Sequence, residues 1–234
     1  MATISIPAAT HINVVATTFD HSAKSNLGEI RTGSYLSQAS MLVYDDILRF
    51  QNSTDAPTAD ISNFNYNQFE GNILWFMDEL VGMESDWIKT AAADSTTAYG
   101  YVQFTEDSVE TAVNRYIGHL ERFNERSLTR DWVPYSIKLG ETLPIPEWLT
   151  ILKNSTKTHE EKLDALTYDE VLALAFVHLH SKKSKDANFV LLAKGDIYAS
   201  KEIYKNNHHT NPDAATLTRL EGFFPWRKQN IYVE

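Results

Sequence analysis

The sequence predicts a mainly α fold, either all-α or α+β with a tiny sheet. Three observations carry this. Apolar residues recur at steps of three and four in seven or eight segments, no segment alternates convincingly between apolar and polar, and proline, glycine and small polar residues mark the breaks. The 234 residues, 43% hydrophobic and 22% charged, have globular values and suffice for a substantial core.

Taken in order, residues 1–30 are rich in Thr, Ala and Ser, with Pro7 and a polar DHSAKSN, and read as an extended arm. Such an arm suits docking on a neighbouring protein, a frayed terminus being the other reading. Residues 31–234 then form the folded domain. Its first helix is expected within Ser34 to Phe50, where Leu36, Ala39, Val43, Ile47 and Phe50 share a face. QNSTDAPTADISN breaks the pattern at Pro57. In the next segment Phe69, Ile73, Phe76, Met77, Leu80 and Val81 line one helix face, and one more turn of that face lands on Glu84. Asp78, Glu79 and Asp86 fall off the face and read as solvated acids.

Beyond a polar stretch and the return AYGYVQF, Thr105 is placed as an N-cap, with Glu106 and Asp107 in the first turn where the helix dipole favours negative charge. Val109, Ala112, Val113, Tyr116, Ile117, Leu120 and Phe123 make this the strongest amphipathic helix in the chain. A loop containing Pro134, Gly140, Pro144 and Pro146 follows, then a short helix near Glu147 to Leu152. Trp132 and Trp148 read as core anchors, with sugar stacking as their other use. Thr167 and Glu170 have capping-box spacing, and the helix they open is apolar all round through Phe176, which predicts central burial. Gly195 reads as a helix C-cap, IYASKEIYKNN as another helix, and Asn211-Pro212-Asp213 as the start of a last one. The tail GFFPWRKQNIYVE reads as packing on the domain or on a partner.

Composition also excludes classes. There are no cysteines, so disulfides and thiolate-bound zinc or iron–sulfur sites are ruled out. The net charge of −10 argues against nucleic acid as a partner. No apolar run is long enough to span a membrane, and the first fifteen residues lack the basic and apolar regions of a secretory signal. His178 and His180 point to different helix faces, and adjacent His208 and His209 diverge, so no metal site is expected, and no cofactor.

The chemistry concentrates between Phe69 and Gln103. A carboxylate on an apolar face pays desolvation when ionised, so Glu84 is a candidate general acid; the plainer reading is a helix end reaching water. Gly100 lets backbone approach a ligand closely, Gln103 offers an amide that both donates and accepts, and Tyr99 and Tyr101 are flat surfaces suited to sugar rings.

Glu84-Ser85, a short loop, and then Ala98-Tyr99-Gly100-Tyr101-Val102-Gln103-Phe104 resemble the catalytic core of soluble lytic transglycosylases and related lysozyme-like domains. The form of the second motif is similar to bacteriophage wall-degrading proteins. The likeness is good from Glu84 to about Tyr116 and loose beyond. It implies a lysozyme-like helical domain with a substrate groove, its motif core over 69–123, that cuts the β-1,4 bond between N-acetylmuramic acid and N-acetylglucosamine. Glu84 would be the catalytic acid and base, with Ser85, Gln103, Tyr99, Gly100 and Tyr101 binding substrate. A hydrolytic muramidase, with Asp94 as a second carboxylate activating water, is the other chemistry; a non-catalytic virion or tail module keeping the fold is the other class. The family's Ala-Tyr-Asn tyrosine has no counterpart in Leu174-Ala175-Phe176-Val177-His178. The implied partners are peptidoglycan strands and, through residues 1–30 and the tail, other virion proteins. The acidic charge is unusual for a freely diffusing wall enzyme and fits carriage in a virion, or the host cytoplasm before release, with action in the periplasm or wall.

Overall fold

The computed structural model describes residues 35–51, 65–94, 96–129, 138–182, 187–196, 198–208, 214–218 and 220. The expectations for residues 1–30, Trp132, the Asn211 cap and the aromatic tail lie outside them. The described chain is mainly helical. It forms α1 (Tyr35–Gln51), α2 (Tyr66–Ser85), α3 (Glu106–Glu125), α4 (Trp148–Leu152), α5 (His159–Asp164), α6 (Tyr168–Lys182), α7 (Ala187–Ala193) and α8 (Ala199–Ile203). α8 runs directly into a π-turn, Tyr204–His208, and 214–218 are again helical. No strand occurs among the described residues; two isolated bridges join Ala92 to Tyr99 and Tyr99 to Phe104. None of the described helices is long and apolar enough to cross a membrane.

α6 is the axis. Its residues from Val171 to His180 are all buried, which explains why its sequence shows no polar face. α1 and α3 pack along it, and Phe176 meets Phe69 of α2 and Phe189 of α7 at ring separations of 6.2 and 6.4 Å. Each such phenylalanine contributes about 1.5–3 kcal/mol by leaving water. Trp148 is a core anchor, its ring edge-on to Tyr35 and Tyr116 at 5.7 and 5.4 Å.

Polar groups fix the helix ends. Thr167 and Glu170 bond reciprocally as a capping box, and Thr158 and Glu161 form a second one that opens α5, a helix too short to show in the periodicity. Asp169, in the first turn of α6, accepts from the amides of Tyr35 (2.6 Å) and Leu36 (3.0 Å), so one carboxylate also satisfies the start of α1. Thr105 precedes α3 as its N-cap residue but makes no side-chain cap bond. Gly195, at φ +90°, follows α7 as expected, and a Cβ there would meet the Gln68 amide.

Asp78 and Glu79 correct the sequence reading. Both are buried, at 0% and 1% exposure, because α2 is enclosed on more than its apolar stripe. Asp78 Oδ1 accepts from Tyr168 OH at 2.7 Å and Trp87 Nε1 at 3.2 Å, so this acid sits among donors and ties α2 to α6. Asp86 is half-buried and ends the helix in a left-handed conformation, φ 53°.

Candidate functional site

The site is built where α2 stops. Two successive left-handed residues, Asp86 (φ 53°) and Trp87 (φ 59°), turn the chain sharply after Ser85. The loop over 91–104 then folds back on itself: Gly100 N donates to Ala91 O at 2.9 Å, and Tyr99 N to Phe104 O at 3.0 Å. Gly100 has φ +83°, where only glycine rests without strain. Gln103, also left-handed at φ 52°, donates from Nε2 to Ala91 O (3.0 Å) and Gly100 O (2.9 Å). The amide nitrogen thus staples the loop, and no hydrogen bond among the described residues uses its Oε1.

Glu84 lies at the end of α2 with its side chain 8% exposed. Tyr204 OH donates to Oε1 at 2.5 Å, and His208 Nε2 lies 3.0 Å from Oε2. Both partners come from the π-turn, where their spacing of four sets them on one face towards the same carboxylate, ring centroids 5.4 Å apart.

Glu84 and Gln103 line one cavity of about 610 Å3, together with His178, Lys182, Tyr204 and His208. That volume falls within the range of small-ligand clefts. Glu84 is the sole carboxylate among the described lining residues. Burial pushes the His178 imidazole down to about 3, helped by Lys182, Arg115 and His208, so it stays neutral. Burial, with Arg115, also lowers the Lys182 ammonium, while Glu84 pulls the other way. Arg115 donates to His178 O at 3.3 Å and holds that turn of α6.

The remaining expected site residues fall elsewhere. Ser85 is buried and donates to Val81 O at 3.1 Å, within its own helix. Tyr99, Gly100 and Tyr101 do not line the cavity; they surround a small closed space with Lys89 and Leu163. Tyr99 OH bonds Asp164 at 3.1 Å, and Tyr101 packs edge-on against Tyr168 at 4.9 Å. Asp94 is exposed and off the cavity. Conversely, the sequence reading gave Tyr204 no role and weighed His208 only as a metal ligand. The signal for them was an aromatic and an imidazole four residues apart in a helical stretch, which becomes specific only once Glu84 is known to face it.

No protein-family model, curated protein or solved structure matches this chain.

Proposed function

We propose that this protein cleaves peptidoglycan glycan strands as a lytic transglycosylase, with Glu84 as its single acid and base. The observation that carries the reading is a sheltered carboxylate at a helix end, sharing a glycan-sized cavity with the Gln103 amide and no second described carboxylate. In this reading Glu84 protonates the glycosidic oxygen between N-acetylmuramic acid and N-acetylglucosamine. The substrate's acetamido group stabilises the oxocarbenium-like centre, and Glu84, now ionised, draws the proton from the muramic 6-hydroxyl, whose oxygen closes on C1. Proton count is conserved: the acid gives one to the leaving group and recovers one from the hydroxyl.

Two side chains of the π-turn orient the Glu84 carboxyl, while Ser85 is bonded within its own helix. Tyr204 fixes one carboxyl oxygen by donating to it, and His208 Nε2 faces the other at 3.0 Å. The family resemblance extends the proposal to a lysozyme-like, virion-carried wall enzyme of a bacteriophage.

Product analysis tests it. Digested sacculi should yield 1,6-anhydro-muropeptides. Reducing ends would replace the proposal with a water-using muramidase, and no products at all would favour a non-catalytic assembly module.

A further inference from the structure

We propose that Asp46, His119 and His180 form a binding site for a divalent first-row transition cation of the zinc type, cross-linking α1, α3 and α6. The three residues are far apart in sequence, and each comes from a different helix. All are buried, and one ligand atom from each lies within 4.8 Å of the others. Tetrahedral zinc with bonds of about 2.0–2.1 Å sets its donors about 3.3 Å apart, so side-chain rotation of about 1.5 Å at most closes the trio.

The protons point the same way. Ser181 Oγ lies 2.8 Å from Val177 O and 2.8 Å from His119 Nε2. A carbonyl cannot donate, so the single hydroxyl proton belongs on the Val177 side, and Ser181 accepts from His119 Nε2–H. That leaves His119 Nδ1 as the nitrogen facing Asp46 Oδ2, at 2.9 Å. A contact this close needs a positive centre, and the proposal places the cation there in place of a proton on Nδ1. Ring-nitrogen donation to a neighbouring oxygen is also the usual outer arrangement of a metal-binding histidine.

His180 is the second, independent observation. It is 1% exposed, and neither ring nitrogen has a hydrogen-bond partner among the described residues. Its ring is held edge-on to Phe189 at 4.9 Å and to His119 at 5.2 Å. A buried imidazole with no bond to either nitrogen is costly unless a ligand takes one of them.

Two arginines oppose a cation here. Arg122 reaches Asp46 Oδ2 at 2.8 Å and Arg49 reaches Oδ1 at 3.4 Å, but their side chains are 40% and 50% exposed, so water screens them. A carboxylate has lone pairs enough to keep Arg122 while giving one to the metal.

The test uses the full chain after chelator treatment. Zn2+ alone is titrated by calorimetry, Co2+ alone by visible absorption, and the histidine ring nitrogens are followed by 15N NMR. The expected result is one ion per chain, tetrahedral Co2+ bands, a higher Tm with Zn2+, and shifted His119 Nδ1 and His180 signals. His180→Phe, which keeps the ring volume, and His119→Gln should each lose the ion. Three results overturn the proposal: no stoichiometric binding to wild type, equal binding by the variants, or a His119 ring doubly protonated and unmoved by Zn2+. The NMR arm is read on wild type, so it stands even if a variant fails to fold.

Discussion

Replacing His180 by Phe should change how stability depends on pH, and the structure sets the size of the change. In the metal-free chain His180 is fully enclosed and held down to about 3, against an ordinary 6.5. The unfolded chain therefore binds a proton that the native state refuses. Stability falls as pH drops through about 6.5, and the loss is complete near 3. At about pH 5 the difference is about one and a half pH units of linkage, or about 2 kcal/mol for this residue alone. Asp46 does not confuse the window. Burial would raise its carboxyl, but His119 and Arg122 beside it outweigh burial and hold it well below its ordinary 3.8, so its contribution is lost only in stronger acid. His178 has the same sign as His180 and acts equally in both proteins. The assay is urea unfolding of wild type and His180→Phe, with chelator present, at about pH 7 and about pH 5. The acid-induced loss in wild type should exceed that in the variant by about 2 kcal/mol. Parallel losses in the two proteins would refute the reasoning, since an unprotonated buried imidazole is its only source.

Three further outcomes follow from single contacts. Asp78→Ala removes the acceptor shared by Tyr168 and Trp87 inside the core, and should cost about 3 kcal/mol in denaturant unfolding. Gly100→Ala meets no clash, its nearest neighbours lying at 3.7 Å, so the cost is the positive φ alone, about 1–2 kcal/mol by the same measurement. Tyr204→Phe deletes the bond to Glu84 Oε1 and should lower the rate of sacculus cleavage about 10- to 100-fold, while far-UV circular dichroism and Tm stay near wild type.

How far the sequence reached depended on the range of the interactions involved. Helices with long apolar stripes, such as α2 and α3, could be located because the period is local. α6 was recognised by its lack of a polar face, and the Thr167–Glu170 box by its spacing. α5 escaped because six residues carry no period, although its Thr158–Glu161 box was there to be read. Asp78 and Glu79 were misjudged for a different reason. A stripe tells which face is apolar, but not how many neighbours enclose the helix. Glu84 and Gln103 were singled out as candidates from a helix face and a resemblance, and both line one cavity. Tyr204, 120 residues from Glu84, and the Asp46–His119–His180 trio were invisible because their meaning lies in long-range packing.

If one carboxyl group carries the proposed cleavage, removing its acidity while keeping its shape abolishes that cleavage. Sacculus turbidity should fall with wild-type protein and stay constant with Glu84→Gln, whose amide preserves volume but has no acidic proton to give. Equal clearing by both proteins would rule out Glu84 as the acid.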